Sequence, residues 1–334
     1  MTSSNTLQTA TAVTFYGIRE MVPGPRWQAL FHALWPGYRS WYLREGDAAR
    51  PDLAVAHRQL IRHMPELVAT WQRMVDLAGG DETAARMLTL VNPPRFLPGC
   101  SQAVLPGEAP MLVRNYDYRP DLCEQVVFSS AFTGRRVIGT SDCLWGLLDG
   151  MNDAGLVVSL AFGGRRDSGP GFGIPLVVRY LLEVADTVAE ATALLARLPV
   201  NMTYNLTLLD RHGASATAFV APGLAPEMTQ LAAATNHRGT VPDWPEHATT
   251  FRSVDRQRAL LDLLATEPDP ETLVRAFGQP PLYSTDYSAG FGTIYTAAYR
   301  PDLGVVDYLW PDSTWRRGFE SPDATHSVVL CSDT

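Results

Sequence analysis

Cys100 stands between Gly99 and Ser101, where a helix-rich stretch gives way to strand-like runs. If the Gly99–Cys100 bond is cut, that one residue offers two reactive groups, its thiol and a new α-amine. The amine titrates at about 7.7–8.0 when unperturbed, so it is able to act as general base to its own thiol. The glycine before it leaves the backbone the freedom that an N→S acyl shift requires. Pro98, Gly99 and Cys100 lead into Ser101–Val104, a Pro106–Gly107 turn and then Met111–Tyr118. The second run carries Arg114, which favours a thiolate, and Asp117, which is able to hold an ammonium. Regular strand puts these two on opposite faces, so their joint action at Cys100 is expected to need a bulge or a turn. The pattern suggests a self-cleaving cysteine amidase. The competing reading is a buried core cysteine beside an exposed ion pair.

Two further stretches have chemical content. Asn236 closes the apolar run Leu231–Thr235, and its side-chain amide is able to donate to a developing oxyanion. His237 follows it, which leaves a Cys-His-Asn arrangement open, but no papain-like sequence surrounds Cys100 and a wall or support role is preferred. The loop from Gly163 to Gly173 is the richest in glycine. It lacks the phosphate-binding P-loop pattern and reads as a substrate gate, with Arg165 and Arg166 available to an anionic group or simply exposed.

These residues need elements to position them. Leu53, Leu60, Met64, Leu67, Trp71 and Val75 recur at helical spacing from Asp52 to Leu77, and Gly79–Gly80 ends that helix. Asp81 is expected to cap a shorter helix through Leu90. Thr11–Ile18 reads as a strand. After Cys100, short runs separated by turn residues predict about ten strands: Gln125–Ala131, Arg136–Thr140, Leu144–Leu148, Leu156–Phe162, Tyr204–Asp210, Ser215–Pro222, Leu231–Asn236, Thr293–Arg300, Val305–Pro311 and His326–Cys331. Helices are predicted over Ile174–Val184, Thr187–Leu198 with Asp186 as cap, Val254–Leu264 with Ser253 as cap, and Thr272–Phe277 opened by Asp269–Pro270. Strict βαβ alternation is absent, which disfavours a doubly wound parallel sheet. Two stacked, largely antiparallel sheets with outer helices fit better, and the early helices need a sheet to cover their apolar faces.

Composition narrows the function. The 334 residues carry a net charge of -8, so no nucleic-acid footprint is expected. All 27 basic residues are arginine. A lysine Schiff base, a Walker lysine and a lysine general base are thereby excluded. Cys123, Cys143 and Cys331 show no zinc-like spacing and read as packing residues. No signal peptide or membrane span is visible, so a cytoplasmic protein is expected.

In this ordered set the chain resembles the acyl-coenzyme A:6-aminopenicillanic acid acyltransferase family. These are cysteine N-terminal nucleophile hydrolases related to penicillin V acylase and bile salt hydrolase. The matching pieces are Met64–Val68, Pro98–Gly99–Cys100, Arg114–Tyr118, Gly150–Met151–Asn152 with Gly155–Leu156, Asn205 with Asp210, and Thr235–Asn236–His237. Ser253 with Arg256 and Gly292–Tyr295 match more weakly. The resemblance implies an α+β fold, a four-layer αββα sandwich. It also implies self-cleavage at Gly99–Cys100 into a light chain, 1–99, and a heavy chain, 100–334, that stay together. The implied catalytic set is Cys100, Arg114, Asp117, Asn236 and Arg256. Relatives take a second oxyanion donor from the strand after Gly-Met-Asn, sometimes an asparagine. Leu156–Phe162 has none, so a backbone N–H near Ala161 is expected to serve. Tyr118, Phe162 and His237 are the expected substrate-lining residues.

The resulting expectation is an acyl-enzyme on Cys100 that passes its acyl group to water or an amine. Its partners would be small acyl amides or acyl thioesters and its own cleaved N-terminal segment, with no nucleic acid and no membrane. No metal or organic cofactor is required, and a coenzyme A thioester is compatible as acyl donor. The alternatives are an unprocessed cysteine hydrolase using His237 as base, and a non-catalytic binding member of the same fold. Resemblance speaks to reaction type, not to substrate.

Overall fold

The computed structural model describes residues 10–97, 99–287 and 291–332. Pro98 and the first nine residues therefore lie outside the described set. In chain order the elements begin with β1 (Ala10–Arg19), α1 (Pro25–Tyr42), α2 (Leu53–His63), α3 (Val68–Leu77) and α4 (Glu82–Leu88). Next come β2 (Gly99–Leu105), β3 (Met111–Tyr118), β4 (Val126–Ser130), β5 (Val137–Asp142), β6 (Gly146–Asn152) and β7 (Val157–Phe162). After α5 (Ile174–Val184) and α6 (Val188–Leu195) follow β8 (Tyr204–Leu209), β9 (Ser215–Val220), β10 (Glu227–Thr229) and β11 (Ala233–Ala234). The chain then runs through α7 (Pro245–Thr250), α8 (Ser253–Leu264), α9 (Pro270–Phe277), β12 (Thr285–Asp286), β13 (Phe291–Arg300), β14 (Val305–Trp310), β15 (Ser313–Gly318) and β16 (Ala324–Cys331).

Two sheets result. A 9-stranded sheet has the order β10-β9-β8-β7-β6-β5-β4-β1-β16. A 7-stranded sheet has the order β11-β2-β3-β13-β14-β15, with β12 on β13. Pairing is antiparallel except between β1 and β4. The expected α+β class is observed, with two mainly antiparallel sheets and helices outside them. α8 and α9 close the outer face of the smaller sheet around Val113, Leu260, Leu273 and Phe277. α5 lies on the larger sheet, so close that a Cβ on Gly150 would come 2.8 Å from Leu182. Asn152 fixes that docking by donating to the Leu182 and Ala185 carbonyls at 2.9 and 2.7 Å. This gives part of the Gly-Met-Asn motif a structural task.

Several expectations need correction. The strand expected over Leu144–Leu148 is instead β6, Gly146–Asn152, which runs on through Asp149–Gly150 because Gly139 and Gly150 pair across β5 and β6 where no Cβ fits. The early helices are tied to the segments flanking β5: Trp27 donates to the Leu144 carbonyl, Thr70 to that of Phe132, and Trp145 donates to that of Leu88 in α4. The Asp52–Leu77 helix breaks at Pro65 into α2 and α3. Thr187, not Asp186, caps α6 by accepting from the Glu190 N–H. α1 and β15 went unread; Pro25 and Pro36–Gly37 signal breaks, yet Trp27, Phe31 and Trp35 stack at 5.5 and 5.3 Å and hold α1 together.

β1 comes from the segment before Cys100 and pairs with both β4 and β16. The parts before and after Cys100 thus share one sheet. No helix among the described residues is long and apolar enough to cross a membrane.

Candidate functional site

Cys100 is the second residue of β2 and is fully buried. Its Cα pairs with that of Tyr116, and Gly99 pairs with Asp117. The β2–β3 register runs without interruption, so the bulge expected between Arg114 and Asp117 is absent. The irregularity lies instead in β13, between Thr293 and Tyr295. Arg114 and Asp117 therefore do project to opposite faces of the sheet. Both still address Cys100, because its side chain points to one face while its main chain is reached from the other.

On the thiol face, Arg114 Nη2 lies 3.2 Å from Sγ. The guanidinium is held by the Leu160 carbonyl at 3.2 Å, the Tyr295 hydroxyl at 2.9 Å and a buried ion pair with Asp149. Asp149 also accepts from the hydroxyls of Tyr295, Tyr299 and Thr140. Tyr116 lies under the guanidinium, 4.9 Å from ring centroid to Cζ. Burial pushes the Cys100 thiol above its ordinary value and the Asp117 charge adds to that, while Arg114 and Arg256 oppose it.

On the main-chain side, Asn236 Oδ1 accepts the Cys100 N–H at 2.9 Å. β11 ends at Ala234 rather than at Asn236 as expected, so a side-chain amide stands where the β2–β11 ladder has stopped. Asn236 Nδ2 donates to the Phe162 carbonyl at 3.1 Å. Arg256, on α8, donates to the Cys100 carbonyl at 2.6 Å, to Ser101 Oγ at 2.7 Å and to Asn236 Oδ1 at 2.8 Å. It also pairs with Asp117 at 3.4 Å. Asp117 accepts from Thr293 at 2.7 Å, and burial leaves its carboxyl above the usual range despite Arg256 and Thr293. Arg252 and Arg258, equally plausible from spacing, are exposed.

Ser253 does not cap α8; Arg252, in the left-handed region at φ 48°, precedes the helix. The Ser253 hydroxyl instead accepts the Asn236 N–H at 2.9 Å and meets His237 Nδ1 at 2.6 Å. Asn205 Nδ2 holds the Thr235 and His237 carbonyls at 2.8 and 2.9 Å. His237 is thus engaged in fixing the Asn236 segment, and burial and Arg256 both lower its pKa.

Ala161 lies on β7 between the two carbonyls that hold Arg114 and Asn236, those of Leu160 and Phe162. The Phe162 ring packs edge-on to Tyr204 and His247. Tyr118 lines a cavity of about 370 Å³ shared with Tyr116 and Phe96. The glycine-rich loop is laced to its surroundings: Gly163, Gly169 and Phe172 donate to Thr203, Asn201 and Pro199. Arg165 pairs with Asp167 and Asp243, and Arg166 sits over the Trp244 ring. Asp149 was not singled out from sequence, and Thr293, Tyr295 and Ser253 were named only within weaker matches or as a cap, without a role at Cys100. Asp149 carried a signal, since it directly precedes Gly150–Met151–Asn152.

Gly99 is not in the left-handed region, and space rather than φ requires it. A Cβ there would lie 2.5 Å from the Phe291 ring and 3.1 Å from Asp117 Cβ. Gly99→Ala is expected to displace Phe291 and to slow any chemistry at the Gly99–Cys100 bond. Intact-mass time courses of the variant beside wild type check this, and equal rates would show that the space is not needed.

Two facing antiparallel sheets with a cysteine at the start of an inner strand place the molecule in the N-terminal nucleophile hydrolase fold. A variant of conjugated bile acid hydrolase from Clostridium perfringens superposes with TM-score 0.50 at 11% identity, covering 70% of this chain and 99% of that one. Penicillin V acylase from Agrobacterium tumefaciens matches with TM-score 0.44 at 16% identity, over 68% and 90% of the two chains. A Caenorhabditis elegans ortholog of N-acylethanolamine-hydrolyzing acid amidase matches with TM-score 0.46 at 15% identity, over 65% and 99%. None of the curated proteins compared matches the chain. The chain belongs to the acyl-coenzyme A:6-aminopenicillanic acid acyl-transferase family, whose model matches residues 104–315, more than half of its length. It is thereby related to amide-hydrolysing and acyl-transferring enzymes.

Proposed function

We propose that this protein is a self-processing cysteine amidohydrolase or acyltransferase with Cys100 as nucleophile. One observation carries the reading: the two chemical ends of Cys100 are held by separate groups, Sγ by Arg114 and the main chain by Asn236 and Arg256. A core cysteine has no use for that division.

In the precursor, the Cys100 thiolate attacks the Gly99 carbonyl carbon. The C–N bond breaks, the Cys100 nitrogen takes up a proton, and a thioester joins Gly99 to Sγ. Water then hydrolyses the thioester, leaving Gly99 as a carboxylate and Cys100 with a free amine and a thiol. Asn236 Oδ1, already an acceptor for that nitrogen, and the Asp117 carboxylate suit the new ammonium. The light chain, 1–99, stays bound through β1, and the heavy chain is 100–334. In the processed protein the amine takes the thiol proton, Sγ attacks an acyl amide or thioester, and the Asn236 amide with a β7 N–H near Ala161 stabilises the oxyanion. The acyl group passes to water or an amine. Tyr118, Phe162 and His237 bound the substrate or support its walls. No metal or organic cofactor enters these steps, and a coenzyme A thioester is compatible as acyl donor.

The test is N-terminal sequencing of incubated protein, with acyl amides and acyl thioesters assayed for acid release. Two chains, one beginning at Cys100, and acid release are expected. A lone 36.6 kDa species overturns the reading. Such a species with activity indicates a conventional hydrolase using His237, and without activity a binding member of the fold.

Self-cleavage is also expected to accelerate with pH. The thiol's pKa is raised above 9.0 by burial, so at neutral pH it is protonated and the thiolate fraction climbs about tenfold per pH unit between roughly pH 7 and 9. Refolding in buffers across that range, sampled by intact mass, should show the rate rising. A flat or falling profile contradicts thiolate attack.

A further inference from the structure

A cavity of about 370 Å³ has aromatic walls from Trp41, Phe96, Tyr116 and Tyr118 and three carboxylates, Glu124, Asp142 and Asp121, the last of which pairs with Arg119. It joins the site through Tyr116, the strand partner of Cys100. Glu124 and Asp142 compete for one strong hydroxyl donor. Tyr38 Oη lies 2.5 Å from Glu124 Oε1 and 3.2 Å from Asp142 Oδ1, and one hydroxyl proton serves only one of them. The Leu144 N–H also reaches Glu124 Oε1, and the weak donor Cys143 Sγ lies 3.7 Å from Asp142 Oδ2; Glu124 Oε2 is sealed from solvent with no hydrogen bond of ordinary geometry, the Ser141 hydroxyl standing near that carboxylate.

They are also short of positive charge. The buried carboxylates Asp117, Asp149 and Glu183 each face an arginine, Arg256, Arg114 and Arg179. Among the described residues, neither Glu124 nor Asp142 forms an ion pair. The arginines at the cavity direct their hydrogen bonds elsewhere, Arg44 to the Arg95 carbonyl and Arg95 to Ser168. Burial, and then the Glu124 charge, push the Asp142 carboxyl up to about 7. Burying uncompensated charge is costly unless a cation or proton accompanies it.

We infer that this cavity takes the protonated amine of an acyl substrate, its apolar portion against the aromatic walls and its ammonium between Glu124 and Asp142. The inference rests on the function proposed above and adds a substrate class to it: acyl amides or thioesters carrying a basic nitrogen beyond an apolar spacer. Aromatic faces reinforce that choice, since they attract cations as well as apolar surface.

Binding tests it without relying on turnover. Calorimetry on the wild-type protein should show phenylbutylamine binding at least about tenfold tighter than phenylbutanol. The Glu124→Gln/Asp142→Asn variant should lose that preference. Equal affinities for the two probes in wild type overturn the inference, whether or not the variant folds. A preference that persists in a folded variant also overturns it. With substrates, an aminohexanoyl anilide should be cleaved with a higher kcat/KM than a hexanoyl anilide. Cleavage that favours the hexanoyl compound rejects the ammonium pocket while leaving the cysteine hydrolase intact. If neither anilide is cleaved but the amine probe is still preferred, the ammonium site stands and the catalytic reading is in difficulty.

Discussion

Cys100→Ala remains a single 36.6 kDa polypeptide on prolonged incubation and releases no acid from substrates that the wild type hydrolyses. Loss of a nucleophile with no substitute lowers kcat by at least about a thousandfold, and here the same atom is assigned to processing and to turnover. The fold should survive. The substitution leaves the β2–β3 register, the Asn236 contact with the main-chain N–H and the Arg114–Asp149 pair in place. Circular dichroism and denaturant unfolding of the variant establish that. Cys100→Ser is the informative companion, since its oxygen occupies the same position with much weaker nucleophilicity, and slow cleavage is expected. Cleavage at Gly99–Cys100 in the alanine variant would remove the thiol from the mechanism.

The second large effect belongs to Arg114. Arg114→Met leaves the buried Asp149 carboxylate with hydroxyl donors from Tyr295, Tyr299 and Thr140 but without its arginine. Breaking a buried pair from one side costs about 3–5 kcal/mol, which urea unfolding resolves. Arg114→Met/Asp149→Leu removes both charges and should recover much of that loss. Processing should not recover with it. Arg114 is one of the groups holding the thiol pKa down, so in both variants the thiolate forms at higher pH and the cleavage profile moves in the alkaline direction. A double variant that processes with the wild-type pH profile would reduce Arg114 to a structural counter-ion. A single variant as stable as wild type would show that the Arg114–Asp149 pair adds nothing to stability.

Strands deep between the layers were legible with boundaries close to those observed. Tyr204–Leu209 and Val157–Phe162 are examples, because strands buried on both faces read as short apolar runs bounded by turn residues. α1 was not legible, since its two prolines look like breaks, although Trp27, Phe31 and Trp35 stack along one face of it at helical spacing. β11 was overread: the run Leu231–Asn236 looks like a full strand, but only Ala233–Ala234 pair, and the ladder gives way to the Asn236 side chain. Among site residues, Cys100, Arg114, Asp117, Asn236 and Arg256 could be named from the ordered motifs, and the structure brings them together around one residue. Ser253 was misassigned as a helix cap because serine before a helix is so often one; its hydroxyl is engaged by Asn236 and His237.

The order of residues alone determined which groups are available: one glycine-flanked cysteine ahead of a strand with arginine and aspartate, a Thr-Asn-His run far downstream, and no lysine to offer other chemistry. It also determined that Arg114 and Asp117 fall on opposite faces of β3, a consequence of strand periodicity. Only the tertiary structure decided that this separation is useful. A second sheet supplies Asp149 beneath the thiol face, while α8 supplies Arg256 and the Ser253 anchor on the main-chain face. Such pairings join residues far apart in the chain, and no local pattern encodes a distance that depends on how two sheets and a helix pack.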